Sequence, residues 1–269
     1  MKISAFIAGF AIVFLSIEAF GFAAPETLKY DLSLAGFTIG QLTLDAKDDD
    51  ANLRIESTMS TRSWVSLFYK VDDHAVSVLQ RSTQNAPGQE FVYLPWTYKA
   101  MFSEGPHKAD IEVSFDNHEK TITCVDLLKK DTTVYHQEYL TIDPLAMLYY
   151  MRQVPLTPGK SVFIHVFNNN LVRNVEVQVL NRETIKTTAG DVETIPLRAD
   201  MHFEGVGIIY YPGDVTVWLT DDEKRVPIVI EKKLSDLARV KSPSFVLRNM
   251  PEFLKKKLYS SSLKATLVP

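Results

Sequence analysis

From Leu28 onward the chain runs in short stretches in which apolar and polar residues alternate with period two, and that period limits the fold it can adopt. Leu42 and Leu44 stand against Gln41, Thr43 and Asp45; Val175, Val177 and Val179 stand against Glu176 and Gln178. Successive side chains of a strand point to opposite faces, so these runs read as half-buried strands. Turn-forming residues punctuate them: Gly36 and Gly40, Asp48-Asp49-Asp50, Pro87-Gly88, Asp116-Asn117, Pro158-Gly159, Asn168-Asn169-Asn170, Ala189-Gly190-Asp191 and Pro212-Gly213-Asp214. Short strands joined by close turns predict a mainly β fold, with antiparallel strands in a partly open barrel or sandwich.

Two stretches break the alternation toward short covering helices. Thr61 to Tyr69 carries Trp64, Val65 and Phe68 at helical spacing. Asp143-Pro144-Leu145 opens a stronger one, with Asp143 as N-cap, proline at the first helical position, and Leu145, Leu148 and Tyr149 on one face. It is expected to end near Arg152, ahead of Pro155.

The two ends of the chain differ from its middle. Residues 1–23 carry Lys2, an apolar run from Ile3 to Ile17 and a small-residue end at Gly21 and Ala23, the plan of a cleavable export signal. The run is shorter than the ~20 residues that span a bilayer. The expectation is a periplasmic protein whose mature form starts at Ala24. Cys124 is the only cysteine, so neither an internal disulfide nor a lipid on the mature terminus is expected. Residues 24–242 read as a single β domain and 243–269 as a C-terminal extension. In that extension Phe253, Leu254 and Leu258 beside Lys255-Lys256-Lys257 predict a short basic amphipathic helix. Such a helix either packs on the outside of the domain or uses residues 250–258 to contact anionic lipid or an envelope protein. The net charge of −4 does not suggest a nucleic-acid partner.

Several separated segments together resemble a known family. They are Leu28-Lys29-Tyr30, Ala35 to Gly40, Asp143 to Arg152, Leu156-Thr157-Pro158-Gly159, Arg182-Glu183, Thr188 to Ile195 and Val217 to Asp222. In this combination the chain resembles, from about Thr27 to Val240, an exported bacterial family known only as a domain of unknown function, DUF3108. The resemblance implies an envelope-located, mostly antiparallel β protein with no assigned chemistry, and it supplies no catalytic residue to carry over. The family usually has a glycine before its last strand, and Lys233 to Ala238 has none.

Catalytic signatures are missing from the sequence: there is no P-loop, no Gly-x-Ser-x-Gly elbow and no His-Glu-x-x-His. No cofactor is implied, and the six histidines are scattered singly rather than spaced as metal ligands. Carboxylates such as Asp72, Glu183 and Asp222 leave open a hydrolase of peptidoglycan or envelope polysaccharide, although turn chemistry also explains them. Cys124 lies in a strand-like run without a neighbouring base and reads as a small buried residue.

The most informative departure from alternation lies between Glu90 and Phe102, where both parities are apolar, and again between Val162 and Phe167. Strands of this kind face apolar surroundings on both sides. Either they simply pack in the core, or one side lines a cavity for an acyl chain or similar ligand. In the second case Trp64, Phe68, Trp96, Tyr98, Phe102 and Trp218 are the candidate wall residues. The leading expectation is therefore a module that binds or chaperones an apolar or lipid-bearing envelope component. A carboxylate hydrolase and a structural envelope assembly factor are the alternatives.

Overall fold

The computed structural model describes residues 24–49, 51–82, 93–168, 170–200, 214–233 and 261–269. The expected export signal and the expected basic helix at 250–258 lie outside these residues. The alternation becomes strands β1 (Glu26–Leu34), β2 (Phe37–Asp48), β3 (Asn52–Thr61), β4 (Asp72–Arg81), β5 (Tyr93–Glu104), β6 (His107–Asp116), β7 (Thr121–Asp126) and β8 (Asp131–His136). Further along come β9 (Thr141–Ile142), β10 (Ser161–Asn168), β11 (Leu171–Val179), β12 (Glu183–Thr187), β13 (Gly190–Asp200), β14 (Asp214–Thr220), β15 (Pro227–Lys233) and β16 (Ser262–Leu267). The helices are α1 (Ser63–Ser66) and α2 (Pro144–Met151).

Among the described residues all strands belong to one sheet, ordered β8-β7-β6-β5-β4-β3-β2-β1-β16-β15-β14-β13-β11-β10-β9, with β12 paired to β13. Pairing there is antiparallel except between β9 and β10. The first eight strands form a meander, each paired with the next in sequence. Ala35 and Gly36, at φ of 52° and 87°, make the two-residue turn between β1 and β2, where positive φ matches the twist of the strands. Gly40, expected in a turn, instead lies inside β2, where a Cβ would run into the carbonyl oxygen of Ser60 on β3.

The sheet curls so that its two ends approach without pairing. Phe167 on β10 meets Phe115 on β6 edge-on at 6.4 Å and Tyr135 on β8 at 5.2 Å between ring centroids. This contact explains why both parities of β10 are apolar: Ile164 and Val166 join the central core while Phe167 fills the seam. The apolar double parity of β5 has another cause. Val78 pairs with Thr97 but Leu79 pairs with Pro95, so Trp96 is an extra, bulged residue that inverts the alternation. Before the bulge Tyr93 and Pro95 face inward; after it Tyr98, Ala100 and Glu104 do.

Inside the curl lies α2. Its N-cap is Asp143, whose Oδ1 accepts from the amides of Leu145 (3.0 Å) and Ala146 (2.9 Å), and whose Oδ2 accepts from Ser77 Oγ on β4 at 2.7 Å. The one-sided apolar pattern of the sequence predicts a helix that covers the sheet with one face. The helix is enclosed instead, with Ala146, Met147, Tyr149 and Met151 buried and Leu145 and Leu148 packed against the remaining side. A helix apolar all round has to sit inside a core.

The C-terminal end of α2 is anchored by charge. Arg152, with no exposed surface, makes a two-pronged pair with Glu26 at 2.7 and 2.8 Å and donates to the carbonyl of Lys224 at 3.0 Å. Arg225 donates to the carbonyls of Val154 and Arg152. The helix end is thereby tied to the start of β1 and to the turn between β14 and β15.

Within the expected C-terminal extension, residues 262–267 are strand β16, which pairs with β1 on one side and β15 on the other. Leu263 and Ala265 face inward and are buried, in keeping with the alternation of Leu263, Ala265 and Leu267 against Lys264 and Thr266.

Candidate binding cavity

Between α2 and the curled sheet lies a cavity of about 280 Å³. Strand register builds its wall. One transverse row runs Val177, Ala199, Val215, Lys232, Leu263, each paired with the next across neighbouring strands. The adjacent row runs Leu197, Val217, Ile230, Ala265, Leu32. Every residue in these two rows lines the cavity. From the other side come Leu42, Met59 and Asp73 in one row and Leu44, Ser57 and Ala75 in the next. Leu145, Leu148 and Met151 of α2 form the floor, and Tyr98 and Phe102 add aromatic surface. Inward positions two apart on each strand are apolar, so the wall is a direct product of the alternation.

Of the six candidate wall residues, Tyr98 and Phe102 line the cavity. The other four do not. Trp64 and Phe68, on α1 and just after it, are 51 % and 76 % exposed, because α1 is a single turn with no buried residue. Trp96 is the bulged residue and is 45 % exposed. Trp218 sits on the outer parity of β14, where its Nε1 donates to Glu183 Oε1 at 2.6 Å.

Against this apolar wall stand three buried charged side chains that no local sequence pattern brings together. Asp73, 6 % exposed, and Lys232, 5 % exposed, line the cavity, and Glu104 is buried beside them. Asp73 Oδ1 accepts from the amide of Ser103 at 2.9 Å, and the Asp73 carboxyl also meets the carboxyl of Glu104. Burial first of all pushes the Asp73 carboxyl above its usual range, with the hydrogen bond from the Ser103 amide opposing the rise. Lys232 is pulled down to about 8, chiefly by burial, with the negative charge of Glu104 opposing the fall. Strand parity carries the signal for this cluster. Asp73 shares its face with Ala75 and Ser77, Glu104 with Tyr98 and Ala100, and Lys232 with Ile228, so each is a charge at an inward position near a strand end.

The carboxylates that leave hydrolysis open in the sequence are held on the surface. Asp72 pairs with Lys70 at 3.1 Å. Asp221 pairs with Arg182 at 2.6 Å, and Asp222 accepts from Thr220 Oγ1 and from the amides of Lys224 and Arg225 in a tight turn. Glu183 holds the Trp218 indole. Cys124 is buried in the seam cluster, where burial raises its thiol pKa. No helix among the described residues is long and apolar enough to cross a membrane.

The sequence model of the family described as "Protein of unknown function (DUF3108)" matches residues 29–236. The chain belongs to this family. DUF3108 membership covers the strands from β1 to β15 and α2, and its match ends before β16. A search of curated proteins found no match. Among solved structures, the chain is similar to a beta-barrel-like protein of the domain of unknown function DUF1849 from Brucella abortus. The two are 9 % identical with a TM-score of 0.49, over 90 % of this chain and 94 % of that one.

Proposed function

We propose that this DUF3108 protein is a periplasmic binding or chaperone module that holds the apolar part of a lipid-bearing envelope component inside its curled sheet. The observation that carries the reading is the cavity beside α2, walled by Leu, Val, Ile, Ala and Met from nine strands and a helix. Ligand pockets are concave, mostly apolar and equipped with a few convergent polar groups. Burying an acyl chain there is worth ~0.8 kcal/mol per CH₂, so a handful of methylenes already gives usable affinity. The export signal expected at residues 1–23 supports the envelope location.

Glycoside hydrolysis is less well supported by the same geometry. Glycosidase carboxyl groups stand ~5 Å or more apart, with the sugar ring between them. The buried carboxyls of Asp73 and Glu104 lie against each other, and Asp73 adjoins a space lined mainly by hydrocarbon. A role as an assembly factor acting through its tail would let the residues after Pro243 be removed without unfolding the domain. The place of β16 in the sheet argues against that.

Lipid extraction and mass spectrometry of the full-length protein, purified without detergent from the cells that make it, test the reading. Recovery of a stoichiometric acyl-chain compound supports it. An empty protein that also fails to take up medium-chain amphiphiles in vitro overturns it.

A further inference from the structure

Antiparallel pairing sends the C-terminal ends of β1, β3, β5, β7 and β10 and the N-terminal ends of β2, β4, β6, β8 and β11 to one rim of the curl. Large apolar side chains stand in solvent at three places along it. α1 and the residues after it present Trp64, Leu67 and Phe68, with Leu67 82 % exposed, the β7–β8 turn presents Leu127 and Leu128, and the β10–β11 turn presents Leu171. The last two turns flank the seam where Phe167 meets Tyr135, and α1 stands several strands away from it. Charge divides between the two rims. Among the described residues, connections 35–36, 62–71, 105–106 and 127–130 of this rim carry Arg62, Lys70, Lys129 and Lys130 and no carboxylate. Connections of the opposite rim carry Asp49, Glu119, Glu138, Asp221, Asp222 and Glu223, more carboxylates than bases. The cavity belongs to the half of the curl next to the apolar rim: Leu32, Met59, Phe102, Lys232 and Leu263 of its lining lie within two residues of strand ends there. The end of α2 is tied to the opposite rim through Glu26 and Lys224.

We propose that this rim docks on the surface of a lipid bilayer bearing anionic head groups, with Trp64, Leu67, Phe68, Leu127 and Leu128 set into the interface and the cavity turned toward the membrane. Exposed apolar clusters bordered by polar residues mark contacts with proteins or membranes. Two observations favour the bilayer. A flat, laterally continuous surface meets separate projections around a rim at once, whereas a peptide or helix needs one continuous groove. Trp, Leu and Phe beside Arg and Lys also make up the composition of a membrane–water interface, where the indole sits at head-group level and bases meet lipid phosphate. Arg62, Lys70 and Lys129 touch Asp31, Asp72 and Asp126, but these are exposed pairs of a kind that contributes little, and a lipid phosphate takes the outer side of each base. The acidic rim, facing away, sets the orientation. Docking stands apart from the proposed function; what rests on that function is its use, the passage of an acyl chain between bilayer and cavity.

Flotation of the full chain with vesicles of phosphatidylcholine alone, or mixed in equal parts with phosphatidylglycerol, tests the docking. The expected result is protein that floats with the mixed vesicles, less with the neutral ones and less at raised salt. Leu67→Ser combined with Phe68→Ser alters two side chains that stand in solvent, and it lowers binding about tenfold or more. Phe163→Ser, exposed on β10 nearer the opposite rim, leaves binding unchanged. Vesicles with brominated acyl chains quench emission from Trp64 and spare Trp96 and Trp218, which lie nearer the opposite rim, so Trp64→Phe abolishes the quenching. Protein that never floats overturns the inference and leaves a protein partner as the occupant of the rim, while lipid extraction still decides the binding reading. Flotation that persists unchanged in the Leu67→Ser and Phe68→Ser variant, or quenching that persists in Trp64→Phe, places the contact elsewhere on the chain and overturns it too. Docking through this rim by a protein that extraction finds empty upholds the surface and removes only its use in ligand exchange.

Discussion

Replacing Asp143 by asparagine should make the protein more stable at neutral pH and remove part of its pH dependence. Asp143 is fully buried and caps α2 from inside the curl. Burial raises its pKa from 3.8 to about 6, against the lowering effect of hydrogen bonds from Ala146, Ser77 and Leu145. Because the folded state holds this proton more tightly than the unfolded chain, stability falls as pH rises from about 4 through 6, and the whole cost is present above that window. At 1.36 kcal/mol per unit of pKa difference the cost reaches about 3 kcal/mol. Asparagine keeps the cap, since its carbonyl accepts from the amides of Leu145 and Ala146, and its NH₂ donates to the Ser77 hydroxyl in place of accepting from it. Urea unfolding of wild type and Asp143→Asn at half-unit steps from pH 4 to 7.5 measures the effect. The variant should be equal to or less stable than wild type near pH 4 and gain by about 1 to 3 kcal/mol by pH 7. A difference between the two proteins that stays constant over this range, or a variant that is much weaker at pH 7, would refute the reasoning.

Other substitutions probe the ends and walls of the curl. Arg152→Met should cost about 3 kcal/mol in chemical denaturation, because Glu26 loses its buried partner, and adding Glu26→Leu should restore a good part of that loss. Tyr98→Ala should cost ~3 kcal/mol or more by leaving a hole in the wall, whereas Trp64→Ala and Phe68→Ala should stay within about 0.5 kcal/mol in the same denaturation curves, since both side chains stand in solvent. Truncation before Ser261 should abolish cooperative thermal unfolding, because it strips β16 from between β1 and β15 and bares two long strand edges.

Features of this fold that depend on local chemistry are legible in the sequence. Asp143-Pro144 announces α2 at its observed start, since a capping carboxylate and a proline at the first turn act within one turn of chain. Cys124 and the alternating runs are readable for the same reason. Pairing register is what the sequence conceals. The bulge at Trp96 inverts the parity of β5, so a strand facing one core looks like a strand between two. Size alone points to the large aromatics as wall residues, yet the wall is built mainly of aliphatic residues that converge only when β13, β14, β15, β16 and β1 align. Lys232 lies far along the chain from Asp73, on a strand that does not pair with β4, so only the curl of the sheet brings the two to one cavity, with Glu104 buried beside them. The same holds for β16: a short alternating run reads as the end of a tail until β1 and β15 stand on either side of it.

The central claim is that an apolar chain occupies the space beside α2, and blocking that space tests it most directly. Ala199 lies in the inner row of β13, and Ala199→Phe projects a ring into the cavity from a position between Val177 and Val215. Native mass spectrometry of wild type and Ala199→Phe, each purified without detergent from the cells that make the protein, compares the mass carried by the two. The account predicts an acyl-chain adduct on wild type that is lost or shortened in the variant while its circular dichroism and unfolding midpoint remain close to wild type. An identical adduct on both proteins, or a bare polypeptide mass for both, would contradict it.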